Sequence, residues 1–324
     1  MGFGTPQRRL ARLPALLLIL LAALAAASTG QADTLSILSQ NMHRLFDDID
    51  DGNNETRLRS TLFSARVAEA ATRFADDFGL PHIIALQEIE NLNVLRRIAS
   101  EMRQRTGVPY RALFIPGNDV SSINTGFLLQ DSLQVARVEQ LFQDTPFGKG
   151  LEPLFSRPPL LLEACHLERC VSLVNLHLRS MRGIGNPSQG DRVARKRRQQ
   201  AETIAAWVNG FQQQQAQAYL LLLGDFNALT PTDEHVDIAG ILLGSPDNSR
   251  TRLAARDLLD PDLVDLTRRI PAARRYSYIF RQRRQQLDYM FGNRALAERI
   301  EQITYGPVDY DFSDHAGLIA RFRW

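Results

Sequence analysis

Six short polar motifs each stand against an apolar run: Gln40-Asn41 after residues 36–39, Gln87-Glu88 after 83–86, His177 after 174–176, Gly224-Asp225-Phe226-Asn227 after 220–223, Asp288 between Leu287 and Tyr289, and Asp314-His315 before the last apolar stretch. Strand ends are where a rigid scaffold presents functional side chains. These residue types suit phosphate-ester chemistry, in which anionic oxygens repel a nucleophile and the departing alkoxide needs stabilisation. Glu88 with a nearby aspartate offers hard oxygen ligands for a magnesium or manganese ion, and the carboxamides of Asn41 and Asn227 can orient metal, water or phosphate. Asp225 can orient or activate water. Asp288 can fix His315 for phosphate contact or proton transfer.

Taken singly, each motif has an ordinary structural explanation. Asn41 and Asn227 fit turns, Glu88 and Asp288 fit exposed carboxylates that close strands, and His177 fits a core histidine with a backbone partner. Only the joint pattern favours a site. Two basic stretches stand apart from it: residues 192–198, which include Arg192, Arg195, Lys196, Arg197 and Arg198, and the series Arg268, Arg269, Arg274, Arg275, Arg281, Arg283 and Arg284. A solvated helix face accounts for the first as well as binding does. The second runs into Asp288 and suits a groove that tracks a phosphate backbone, which favours a nucleic-acid substrate. Tyr276 and Tyr278 beside it fit base stacking or core packing.

The elements that must position these residues are legible from periodicity. Residues 34–39 alternate as a half-buried strand, and 57–78 place Leu58, Leu62, Val67, Ala71 and Phe74 at helical spacing. Further strands are predicted at 82–86, 111–115, 125–129, 160–163, 171–176 and 219–223, with short ones near Tyr278, Leu287 and Leu318; helices are predicted over 94–106 and 192–211. The order is mixed α/β without a regular βα repeat, so it predicts two packed sheets, or one large mixed sheet, covered by helices. With 44% hydrophobic and 23% charged residues, the chain has material for a substantial core and lacks the polar bias of a disordered segment.

The ordered set Gln40-Asn41, Leu86-Gln87-Glu88, Gly224-Asp225-Phe226-Asn227-Ala228, Leu287-Asp288-Tyr289 and Ser313-Asp314-His315 resembles the endonuclease/exonuclease/phosphatase superfamily over residues 36–322. The resemblance implies a four-layer α/β sandwich, two central mixed β-sheets flanked by helices, with a metal site at one rim. It implies that Glu88 is the principal metal ligand, with Asn41 beside it and Asp314 as a second acidic position. Asp225 and Asn227 then orient water and phosphate, Asp288 and His315 form the pair at the scissile phosphate, and His177 lies beside the leaving oxygen. Phe155-Ser156-Arg157-Pro158 is similar to a segment of DNase I-like members that supplies a phosphate-binding arginine, here Arg157. The likeness of His177-Leu178-Arg179-Ser180 and Tyr276-Ser277-Tyr278-Ile279-Phe280 is to secreted bacterial nucleases. One departure is Ala316-Gly317 after His315, where the family pattern carries a proline that would stiffen the chain.

Arg8, Arg9 and Arg12 precede an apolar run over residues 13–27 and small residues up to Ala32, the pattern of a secretory signal peptide over 1–32 ahead of a catalytic domain over 33–324. The chain has 38 basic and 36 acidic side chains, +2; without those three arginines it has 35 against 36, or −1. Export to the periplasm or beyond is expected, with no stable membrane span after cleavage. Four residues separate Cys165 from Cys170 across an expected hairpin turn, where a disulfide with a modest entropic effect fits. The expected protein is an exported, magnesium- or manganese-dependent phosphodiesterase. It acts on DNA or RNA as a monomer without an obligate protein partner. A phosphatase or sphingomyelinase-like phospholipase C on the same fold is the alternative, and a non-catalytic binding module ranks third.

Overall fold

A computed structural model describes residues 33–52, 55–229 and 233–324, together with Met1, Gly2 and Gly4. The expected signal peptide therefore lies outside the described residues. Thr34–Trp324 forms one compact unit. Among the described residues no helix is long and apolar enough to cross a membrane.

Two six-stranded mixed sheets make the centre. The first has β1 (Thr34–Leu45), β2 (Ile83–Ile89), β3 (Tyr110–Phe114), β4 (Asn124–Gln130), β13 (Ile300–Tyr305) and β14 (Leu318–Arg323), in the order β13-β14-β1-β2-β4-β3. The second has β5 (Gln134–Gln140), β6 (Leu160–His166), β7 (Arg169–His177), β8 (Tyr219–Asp225), β9 (Val264–Asp265) and β12 (Asp288–Gly292), in the order β5-β6-β7-β8-β12-β9. Each sheet holds one parallel pair, β1 with β2 and β7 with β8, between antiparallel neighbours. A short hairpin, β10 (Tyr278–Phe280) and β11 (Arg283–Gln285), stands outside both sheets.

The period-two alternation of the strands explains the layering. Leu35, Ile37, Ile83 and Ala85 face Leu162, Leu173, Leu221 and Leu223 in the core between the sheets. The intervening Leu38, Ile84 and Leu86 face outward to α1 (Ser60–Asp76) and α2 (Leu92–Thr106), whose Phe63, Val67, Phe74, Val94 and Ile98 cover them. On the other side Val174, Leu176, Leu220 and Leu222 pack under α3 (Gly190–Gln214) and α4 (Ile238–Leu243). Both faces of the central strands are thus buried, which is why those strands read as near-continuous apolar runs. The expected four-layer sandwich is the observed fold.

A polar crosspiece fixes the sheets relative to each other near the site. Gln87 Nε2 donates to Asn175 Oδ1 at 2.7 Å, and Asn175 Nδ2 donates to the carbonyls of Leu86 and Gly126 at 3.0 and 3.1 Å. The Cys165–Cys170 disulfide closes the β6–β7 turn, as the spacing suggested.

Several elements exceed or escape the sequence expectations, among them β9, β11 and α4, which were not predicted. β1 runs six residues beyond the predicted strand, carrying Asn41 within it; β5 and β13 were not predicted. β5 is an edge strand with a largely exposed, polar face, so it lacks the apolar alternation that marks a half-buried strand.

Candidate active site

The C-terminal ends of the two parallel pairs meet at one rim. The register places Asn41 beside Gln87 and His177 beside Asp225, while antiparallel β12 brings Asp288 directly opposite Asp225. Gly224 makes that junction possible: its φ is +131°, and a Cβ there would stand 2.1 Å from the Leu176 carbonyl oxygen. Glu88, Asn227, His43 and Arg44 also adopt left-handed backbone, with φ of 57°, 49°, 47° and 55°. Such conformations persist in non-glycine residues only where the surroundings hold them.

The chain after β12 is tied to β1 by a serine. Ser313 Oγ donates to the Asn41 carbonyl at 2.7 Å and accepts from the His315 amide at 3.1 Å, and Gln40 Nε2 donates to the His315 carbonyl at 3.1 Å. Gly317 takes the close approach that a larger residue would block, since a Cβ there would lie 2.5 Å from Gln40 Oε1. Hydrogen bonds from Gln40 and Ser313, rather than a proline, hold this segment.

At the centre Asp225 is nearly sealed from solvent. Its Oδ1 accepts from the Asn227 amide at 2.8 Å, and its Oδ2 accepts from Asn41 Nδ2 at 3.2 Å. Burial pushes its carboxyl up to about 7; the charge of His315 opposes this, and Asp288 and Glu88 reinforce it. His315 Nδ1 lies 2.7 Å from Asp288 Oδ2, and its Nε2 lies 4.0 Å from Asp225 Oδ2. Burial disfavours its charged form, but Asp288, Asp225 and Asp314 outweigh that and raise it to about 10, so the ring is an imidazolium at neutral pH. His177 behaves oppositely. Burial, Arg157 and His315 hold its pKa well below the usual histidine range, so it is neutral, with Nε2 at 3.6 Å from Asp225 Oδ2 and 3.7 Å from Glu88 Oε1. Its Nδ1 is buried and finds no hydrogen-bond partner among the described residues.

Glu88 faces solvent at the rim, and Asn41 Nδ2 donates to its Oε1 at 3.2 Å. Glu88, His177 and Asp225 offer ligand atoms that all lie within 4.8 Å of one another, as do Asp225, Asp288 and His315. Within the first group Glu88 is the hard, partly exposed carboxylate whose oxygens fit a divalent cation. Asn41 meets Glu88 with its amide nitrogen while its Oδ1 accepts from the His43 amide at 2.9 Å. Ligation by Asn41 would therefore require its amide to turn over. Asp314 stands to one side, 3.9 Å from His43 Nδ1.

Arg157 sits under the site. Its Nη1 contacts Asp119 at 2.8 Å, and its Nε and Nη2 donate to the carbonyls of His177 and Leu178 at 3.2 and 3.3 Å. It braces the end of β7. Asn227 Nδ2 donates to the same Leu178 carbonyl at 3.2 Å.

Sequence reading missed three supporting residues. His43 lies at the rim beside Asp314. Arg66 of α1 donates to the carbonyls of Met42, His43 and Arg44, holding the left-handed turn after Asn41. Arg197 belongs to the basic run read as a solvated face, yet it is buried: it pairs with Asp233 at 2.8 Å and donates to the carbonyls of Arg179 and Asn227 at 2.7 and 3.0 Å. Lys196 is likewise buried against Glu152 and the Pro153 carbonyl. In the second basic series Arg269 donates to the carbonyls of Ala297 and Ile300 and Arg275 to those of Arg268 and Ile270, while Arg281, Arg283 and Arg284 are exposed on the β10–β11 hairpin, whose Tyr278 pairs with His315 as an isolated bridge with its ring 5.0 Å from the imidazole.

This fold is shared with solved structures of low sequence identity. A truncated TDP2 from Caenorhabditis elegans is similar with a TM-score of 0.57 and 17% identity, covering 90% of this chain and 98% of that one. An endonuclease/exonuclease/phosphatase family protein from Leptotrichia buccalis has a TM-score of 0.57 at 12% identity, covering 90% and 100%. D. rerio TDP2 complexed with single strand DNA product has a TM-score of 0.55 at 17% identity, covering 90% and 100%. A search of curated proteins found no match. The model of the endonuclease/exonuclease/phosphatase family matches residues 38–315, a span that contains every motif residue from Asn41 to His315. The chain therefore belongs to the endonuclease/exonuclease/phosphatase family and is a metal-dependent phosphoric ester hydrolase.

Proposed function

We propose that this protein is an exported phosphodiesterase that hydrolyses DNA or RNA with magnesium or manganese. The observation that carries the reading is the opposed pair at the centre: an imidazolium at His315 held by Asp288, facing a carboxyl at Asp225 whose pKa stands at about 7. Such a pair fits an anionic phosphate on one side and a water to be deprotonated on the other.

In this reading His315 contacts a phosphoryl oxygen and offsets charge that grows as the phosphorus is attacked. Asp225, aligned by the Asn227 amide and the Asn41 side chain, accepts the proton of the attacking water. Asn227 orients phosphate beside it. His177, being neutral, donates a hydrogen bond near the departing oxygen. Glu88 would hold the divalent ion, with Asn41 beside it and Asp314 as a second acidic residue at the rim; when bound, the ion supplies positive charge to the phosphoryl oxygens. Arg157 reaches substrate only by giving up a backbone acceptor, so its contribution is to hold His177 in place.

Support for a nucleic acid comes from the β10–β11 hairpin. Arg281, Arg283 and Arg284 are exposed there, and the hairpin joins the site through Tyr278 and His315. A related fold binds single-stranded DNA product in D. rerio TDP2. Export rests on the basic and apolar leader in the sequence, and the Cys165–Cys170 disulfide suits an oxidising compartment.

The test is hydrolysis of plasmid DNA, RNA, sphingomyelin and a phosphomonoester by the mature chain, with magnesium, manganese or chelator. Metal-dependent cleavage of DNA or RNA supports the proposal. Turnover confined to the lipid or the monoester would keep the site and overturn the substrate.

A further inference from the structure

Building on the nucleic-acid substrate proposed for this site, we propose that the β10–β11 hairpin and the loop before Asp314 form a platform on which unpaired bases stack, so that the enzyme prefers single-stranded nucleic acid to duplex. Two exposed rings make the platform. Phe280, at the end of β10, is 47% exposed, and Tyr310, on the loop between β13 and β14, is 59% exposed. Single apolar side chains at a surface are ordinary. These two are held together, because Tyr310 Oη donates to the Ile279 carbonyl at 3.1 Å and so pins its ring against the strand that presents Phe280. Both segments also lead into the active site: Tyr310 precedes Asp314 and His315 on its loop, and the Tyr278 ring of β10 lies 5.0 Å from the His315 imidazole.

The register decides which way the platform faces. Side chains alternate along a strand, so Tyr278 and Phe280 share one face of β10, and Phe280 stands directly opposite Arg283 of β11, which adds a cation to that face. The turn between them is Arg281-Gln282, with φ of 46° and 65°, the two-residue geometry that keeps a hairpin tight. Arg281 lies over the Phe280 ring at 5.2 Å. One face therefore runs from the His315 imidazolium through Tyr278 to an exposed ring edged by two arginines.

In a duplex the bases stack on one another and offer only their edges, whereas a single strand can lay its bases on protein rings while its phosphates meet arginines. Rings and cations alternating along a face that begins at the catalytic histidine fit the second case. A lipid surface fits less well. Among the described residues of the hairpin Phe280 is the one exposed apolar side chain, and Arg281, Gln282, Arg283 and Arg284 follow it, so there is no contiguous apolar patch to enter a bilayer.

The experiment offers the full mature chain one oligonucleotide sequence, as DNA and as RNA, single-stranded and as a duplex, and measures kcat/KM with magnesium. In parallel, a single strand carrying 2-aminopurine is bound in chelator and its fluorescence followed. The parent should favour the single strand and quench the 2-aminopurine. Phe280→Ala combined with Tyr310→Ala, both at exposed positions, should cut the single-strand to duplex ratio of kcat/KM by about 10-fold, through KM, and lose the quenching; Phe280→Trp should keep both. Equal turnover of duplex and single strand by the parent, or a ratio and quenching unmoved in the double variant, would overturn the platform and leave the nucleic-acid substrate standing. Failure to cleave or bind either form would remove the substrate and the platform together. Binding to phosphatidylglycerol vesicles that the double variant loses, with oligonucleotide binding kept, would overturn the platform in favour of lipid.

Discussion

The two halves of the active site are built from the same residue types and differ in burial. On the side of the second sheet, Asp225, Asp288, His177 and His315 are at most 7% exposed in their side chains. On the side of the first sheet, Glu88 is 20%, Asp314 24% and His43 51% exposed. In the first group burial raises Asp225 and lowers His177, while the neighbouring carboxylates raise His315, which suits these three to the proton handling of the proposed reaction. Exposure leaves the second group able to exchange ligands with a hydrated ion. One rim therefore divides proton handling from ion handling, and the division predicts that substitutions in the two halves fail differently.

The largest effect is expected from Asp225→Asn, which removes the proposed proton acceptor and should lower kcat by about 10³-fold. Stability should not follow activity. A carboxyl raised to about 7 contributes stability that is full below its unfolded value of about 3.9 and is lost as pH rises through about 7. At pH 8 the Asn variant should thus melt no lower than the parent, as calorimetry would show; a large fall in Tm would assign Asp225 a structural role.

A smaller loss, roughly 10²-fold at pH 8, is expected from Asp288→Asn. The parent should gain activity as Asp225 ionises through about 7 and lose it as His315 deprotonates through about 10. Without the Asp288 carboxylate the alkaline limb should move toward the ordinary histidine value, and a pH–rate profile with an unmoved limb would break the pairing of Asp288 with His315.

Substituting Arg281, Arg283 and Arg284 together by Gln should leave kcat unchanged, raise KM for DNA by about 10-fold and flatten the dependence of log KM on log salt by roughly 2. An unchanged salt slope would remove the hairpin from the binding surface. The smallest effect belongs to the double Cys165→Ser, Cys170→Ser variant. Its closed loop is short, so Tm should drop by about 5 °C or less and turnover should hold. Loss of turnover on reduction of the parent would contradict that.

Much of the site was legible because its residues sit at the ends of strands whose apolar runs are unmistakable. Asn41, Glu88, His177 and Asp225 follow such runs and Asp288 opens one, and the sheet order brings them together. What escaped depends on partners distant in sequence. Arg197 looks like part of an exposed basic face until Asp233, 36 residues away, folds against it. Arg66 is one polar residue on an amphipathic helix, and only the left-handed turn at His43 and Arg44 gives it three carbonyls to hold. β5 and β13 escaped for another reason: both are edge strands with polar faces, which carry little hydrophobic period to read.

The most direct test of the divided rim is a magnesium titration of DNA cleavage by the parent, Glu88→Gln and Asp225→Asn. Glu88→Gln should raise the magnesium concentration for half-maximal rate as well as lowering the rate, whereas Asp225→Asn should lower the maximum and leave the magnesium requirement close to that of the parent. Native turnover and native magnesium dependence in Glu88→Gln would contradict the account.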